Sequence, residues 1–176
     1  MVEVILEILK FTIPALTVCL VTYIILSKQA DKEEKLRILD IKSKTGNDML
    51  PLKMQAYERI TLLLHRIAPE TMIPRMQQPS LKVGQFKKLL VNTVKSEYEH
   101  NITQQVYVSS TVWKATLTYV NDLINVINTQ AEALNQESPA YELAKAVLQY
   151  YVDNPETINS HRVLEVVKQE VKTLYI

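Results

Sequence analysis

The apolar positions of this chain fall into two regimes. From Phe11 to Ser27 it reads FTIPALTVCLVTYIILS, seventeen residues without a charge. A helix of that length rises roughly 25 Å, a little short of a hydrocarbon core of about 30 Å. Extension back toward Val4 takes in Glu7 and Lys10, both near the end, where they can reach the headgroups. Pro14 lies in the first half, where a kink is tolerated. The pattern predicts a retained transmembrane helix in residues 1–27, with Phe11, Pro14, Cys19 and Ser27 along the span. A cleaved leader would carry positive charge ahead of the apolar run and a small-residue site behind it. Here Glu3 and Glu7 come first, and Ile24-Ile25-Leu26-Ser27-Lys28 ends the run. A helix buried in a protein core would show a polar stripe, which this segment lacks.

Beyond the span the period becomes that of amphipathic helices. Residues 28–45 are densely charged, with Asp31 to Lys35 and Glu33 to Arg37 paired acid-first at i,i+4, as on a solvated helix. Thr45-Gly46-Asn47-Asp48 reads as a stop and turn, and Pro51 as the opening of the next helix. Ala56, Tyr57, Ile60, Leu63, Leu64 and Ile67 then repeat at helical spacing. Residues 68–80 contain three prolines and read as an irregular connector. Phe86, Leu89, Leu90, Val94 and Tyr98 mark another helix. Around Ile102 to Ser110 β-branched residues gather, predicting a kink or short break, with a short strand as the alternative.

The cleanest seam follows: Trp113, Leu117, Val120, Ile124, Ile127, Ala131 and Leu134, alternating steps of four and three over a helix from about 109 to 135. Ser138-Pro139 opens a helix carrying Leu143, Ala144, Val147, Leu148 and Tyr151. Asn154-Pro155 ends it, and a last helix carries Leu164, Val167, Val171 and Leu174. The expected fold is all-α: a transmembrane helix, then residues 46–176 as an antiparallel helical bundle packed at its apolar seams.

Charge adds an orientation and an asymmetry. Lys28, Lys32, Lys35, Arg37, Lys42 and Lys44 follow the span, against Lys10 before it, which places the C-terminal body in the cytoplasm. Residues 28–114 hold fifteen basic and nine acidic side chains, whereas residues 115–176 hold four and eight. The stretch 71–96 has no acid but carries Arg75, Lys82, Lys87, Lys88 and Lys95. It reads as a solvated basic face or as a contact for anionic lipid headgroups. Nucleic acid is a less favoured partner, since neither dense charge nor a helix-groove context accompanies it.

Two stretches and the start of the anchor carry a resemblance. LPLKMQAYERI (residues 50–60), EYEHNITQQVYVS (97–109) and the opening ILKFTIP (8–14) are similar to a family of short, membrane-anchored helical proteins of Bacteroidota without an assigned activity. The resemblance implies a bacterial inner-membrane address and supplies no catalytic residue to carry over.

Chemical constellations are few. Two glycines, Gly46 and Gly84, leave no phosphate-cradling loop. The single cysteine lies within the apolar run and can form no intrachain disulfide, which fits a reducing compartment for the rest of the chain. Glu97-x-x-His100 has the spacing of half a di-iron site, but neither His65 nor His161 completes a second pair. Ser109 and Ser110 lack a nucleophile context. The expectation is a protein-interaction or accessory subunit of an inner-membrane assembly, single-span with its N-terminus outside. It is expected to be no enzyme, to hold no cofactor or metal, and to bind no evident small molecule. A protein partner or a second copy is expected; a peripheral lipid- or nucleic-acid-binding module and a membrane-associated metal protein are the alternatives.

Overall fold

The computed structural model describes the backbone of residues 2–155, 157 and 159–174, and the side chains of these except residues 2–15 and 42–47. Among the described residues the chain is all-helical: α1 (Val2–Ile67), α2 (Pro69–Met76), α3 (Val83–Asn101), a 3₁₀ turn (Ile102–Val106), α4 (Ser110–Glu132), α5 (Ala140–Asp153) and α6 (Ser160–Thr173). It divides into two units, Met1–Leu50 and Pro51–Ile176.

Helix α1 runs through Thr45-Gly46-Asn47-Asp48, where the sequence suggested a stop. A single glycine in a helix costs only about 1 kcal/mol relative to alanine. The left-handed cap that glycine could supply is not used, since no described residue has a positive φ.

In the first unit the described side chains of Leu16, Val18, Leu20, Val21, Tyr23, Ile24, Ile25 and Leu26 are all exposed, from 42% to 73%. Successive helical positions step by about 100°, so apolar groups surround this stretch on every side. The Thr22 hydroxyl donates to the Val18 carbonyl at 2.7 Å and that of Ser27 to the Ile24 carbonyl at 3.0 Å. Both polar groups are thereby satisfied within their own helix. No helix is long and apolar enough to cross a membrane among the described residues. Phe11 and Pro14 of the expected span lie outside the described side chains, while Cys19 is exposed.

The second unit holds the core. Ala56, Ile60, Leu63 and Ile67 of α1, Met72 and Ile73 of α2, Phe86 and Leu90 of α3, Leu123 and Ile127 of α4, Leu143 and Val147 of α5, and Val163 of α6 are buried in one cluster. Helix α4 packs against α3, α5 and α6. Helices α3 and α4 run antiparallel: Tyr98 near the end of α3 stacks on Trp113 near the start of α4, with ring centroids 5.6 Å apart. At the other end Lys87 of α3 approaches Glu132 of α4 at 3.6 Å.

The buried face of α4 comprises Val112, Thr116, Tyr119, Val120, Leu123, Val126, Ile127 and Ala131. Val120, Ile127 and Ala131 of the expected seam lie on it. Trp113, Leu117, Ile124 and Leu134 flank it, only partly buried. The face is turned by roughly one residue because the core tolerates Thr116, whose hydroxyl donates back to the Val112 carbonyl at 2.9 Å. A pattern of apolar letters passes over such a satisfied threonine.

The proline-rich connector is in part a helix. Pro69 starts α2 at a position whose N–H would have no partner, and Met72 and Ile73 are fully buried beneath it. Apolar burial of this size holds a short helix that propensity alone would not. The break after α3 is present as the 3₁₀ turn, and the strand alternative at residues 102–110 is not. The start of α3 is tied to the α4–α5 loop by three backbone bonds: Val83 N–H to Ser138 O, Gly84 N–H to Gln136 O and Ala140 N–H to Leu81 O. They satisfy donors that a helix start leaves open. A Cβ at Gly84 would sit 3.1 Å from the Gln136 Oε1, so the loop approaches this closely because residue 84 has none.

Candidate functional site

Three places in the second unit gather polar chemistry or leave apolar surface uncovered. The first is a polar knot at Glu170 of α6. Its carboxylate accepts the Tyr57 hydroxyl from α1, the Ser109 hydroxyl, and the Ser109 backbone N–H at 2.9 Å. Ser109 is also the N-cap of α4, its hydroxyl accepting from the Val112 N–H at 3.2 Å. One carboxylate thus joins three elements. Partial burial pushes its pKa up, but the hydrogen bonds from Ser109 and Tyr57, with Lys53 nearby, outweigh that and hold it below the usual carboxylate range. Burial and the bond to Glu170 push the Tyr57 hydroxyl well above its ordinary value. The Ser109 hydroxyl donates to Glu170 and accepts from the Val112 N–H, so this arrangement ties the start of α4 to α6 and, through Tyr57, to α1.

The second is a cleft of about 180 Å³ between the end of α1 and the end of α3, lined by Arg59, Arg66, Ser96, Glu97, His100 and Asn101 over Leu62 and Leu63. Glu97 turns to Arg66 at 3.4 Å, and the His100 Nδ1 lies 3.3 Å from the Ser96 carbonyl. The Glu97–His100 pair singled out in the sequence therefore lines one cleft, shared with two arginines. Among the described residues no group of three or more His, Cys, Asp or Glu is placed to hold a metal ion. His161 of α6 lies 3.7 Å from Glu70 of α2, a proximity that the sequence did not signal.

The third is a groove of about 900 Å³ between residues 51–61 of α1 and α6, with Met54, Leu164, Val167 and Val171 among its apolar lining and Glu58, Lys168 and Lys172 among its charged residues.

The basic stretch is broken up by the fold. Lys82 pairs with Glu137 and Lys87 with Glu132, both from the acidic C-terminal half. The Arg75 guanidinium donates to the Arg66 carbonyl at 3.1 Å at the end of α1. Lys88 and Lys95 stay exposed on α3. Five positive charges without an acid nearby in sequence are thus not five free charges in space.

Sequence reading missed Glu170. Its signal was present: Val163, Val167, Glu170 and Leu174 step by four, three and four, which puts a carboxylate on the stripe that faces the bundle.

These features define an all-α protein with a bundle built around α4. The chain belongs to a family of unknown function (DUF7935), which it matches over residues 3–174. No curated protein and no solved structure matches it.

Proposed function

We propose that this is a single-span protein of a bacterial inner membrane whose cytoplasmic bundle docks a protein partner, as an accessory subunit of a membrane assembly. The observation that carries the reading is the belt of exposed apolar side chains from Leu16 to Leu26, continuous with the uncharged run that starts at Phe11. Aliphatic side chains exposed around a whole helix circumference need an apolar medium. The internally satisfied hydroxyls of Thr22 and Ser27 suit the same medium. The basic residues after Ser27 orient the bundle inward.

The α1–α6 groove supports the partner reading, since a groove between two helices with a largely apolar lining suits an amphipathic helix of another protein. The pairing of Lys82 and Lys87 with acids argues against the lipid or nucleic-acid alternative at residues 71–96. A reporter fused after Ile176 is expected to be active in the cytoplasm and silent outside, and a photo-crosslinker at Val171 to capture a protein in native membranes that one at Thr118 does not. A reporter active outside, or equal capture from both positions, overturns the reading.

A further inference from the structure

The cleft between the ends of α1 and α3 has no part in that reading, and its donors converge without a complete set of partners. Arg59 and Arg66 lie seven residues apart on one face of α1, about 10 Å along the axis. Ser96 and His100 face them from successive turns of α3. The cleft holds one carboxylate, Glu97, which turns to Arg66, so Arg59 forms no ion pair there. The His100 Nδ1–H is directed at the Ser96 carbonyl, so Nε2 donates to an anion in the imidazolium form and, in the neutral form, accepts from a protonated phosphoryl oxygen. Two guanidinium groups, an imidazole and a hydroxyl around a small cavity are the donor set that recognises a tetrahedral oxyanion.

We propose that this cleft binds a phosphate monoester group, with Arg59 and Arg66 as the charged clamp and Ser96 and His100 as hydrogen-bonding partners. Its volume of about 180 Å³ lies below the roughly 300–1,000 Å³ of pockets that enclose a whole drug-sized ligand. The site therefore takes the phosphoryl group and leaves the remainder outside. Glu97 sets the affinity: its negative charge opposes the incoming anion and holds Arg66 while the site is empty. An anion site and a cation site at Glu97 and His100 consequently predict opposite effects of removing that charge. The phosphoryl group comes either from a free phosphorylated molecule or from the headgroup of an acidic lipid.

The test uses the full chain in phosphatidylcholine nanodiscs, titrated with inorganic phosphate at constant pH and ionic strength. Histidine Cε1–H resonances are followed by NMR, and His100→Gln assigns the signal of interest among three histidines. The His100 signal is expected to move saturably. Arg59→Gln and Arg66→Gln are expected to weaken binding tenfold or more, Lys88→Gln to leave it within twofold, and Glu97→Gln to tighten it. Unmoved His65 and His161 signals in the phosphate-free spectra show that each variant is folded. In nanodiscs containing phosphatidic acid, a His100 signal already shifted without phosphate, and restored by Arg59→Gln, identifies a lipid headgroup; an unshifted signal identifies a free phosphate. No saturable shift with either lipid, a shift that the arginine variants leave intact, or weaker binding in Glu97→Gln overturns the proposal.

Discussion

Replacing Glu170 by alanine removes the acceptor shared by the Tyr57 hydroxyl and by the hydroxyl and backbone N–H of Ser109. Hydrogen bonds to a charged group contribute about 1.5–3 kcal/mol each. The losses do not add fully, because Glu170 and Ser109 are only partly buried and water can replace their bonds. Tyr57, at 4% exposure, has less access to that water, so its loss dominates. The expected destabilisation is about 2–4 kcal/mol for Glu170→Ala and about half of that for Glu170→Gln, which keeps one acceptor oxygen. Trp113 is the only tryptophan and lies in the second unit, so its fluorescence during urea unfolding of the full chain in mild detergent reports the bundle.

A pH series adds an independent check. The Glu170 pKa is depressed in the folded state, so the unfolded state binds the proton more readily. Its contribution is therefore present above the unfolded value, about 4.3, and is lost as pH falls through the folded one. Wild type is expected to lose more stability than Glu170→Gln when taken from pH 6 to pH 3. Parallel pH profiles, or a loss below about 0.5 kcal/mol in Glu170→Ala, would show that the knot contributes nothing beyond its solvated parts.

Two further substitutions test the packing of α4 by the same assay. Leu123→Ala, at a fully buried position, is expected to cost about 2–5 kcal/mol, and Leu117→Ala on the half-buried flank clearly less; the reverse order would place the core on the heptad seam. The buried hydroxyl of Tyr119 meets no hydrogen-bond partner of good geometry among the described residues, although Ser160 lies near it, so Tyr119→Phe is expected to leave stability unchanged or raise it by about 1 kcal/mol, and a loss of that size would show that Ser160 or a bound water serves that hydroxyl.

The helices after residue 50 were legible because each needs an apolar stripe and the stripes are long. Residues 51–67 of α1, and α3, α4, α5 and α6, all follow the periodic runs, with ends displaced by few residues. What escaped was decided by tertiary contact. Helix α2 exists because Met72 and Ile73 have a core to enter, which three prolines in thirteen residues conceal. The face of α4 was displaced because Thr116 satisfies its own hydroxyl and reads as polar all the same. The basic stretch 71–96 looked coherent because its acidic partners, Glu132 and Glu137, lie over forty residues away in sequence.

The candidate site shows a different limit, one of helical phase. LPLKMQAYERI supplies Tyr57 to the Glu170 knot and Arg59 to the cleft, two residues apart and so turned about 200° from one another. EYEHNITQQVYVS divides in the same way: Glu97, His100 and Asn101 line the cleft, whereas Ser109 lies beyond the 3₁₀ turn and caps α4 at the knot. Each string looks like one motif but serves two places with different physics. At the knot a buried hydroxyl and a helix cap must find an acceptor, so that place answers to stability. At the cleft Arg59 stands exposed and, among the described residues, without an ion pair, which stability alone does not call for, since an exposed arginine gains little from being held there. Substitutions at Glu170 should therefore move the unfolding midpoint and leave phosphate binding intact below it, while Arg59→Gln should do the opposite. The two readouts separate what the contiguous letters had joined.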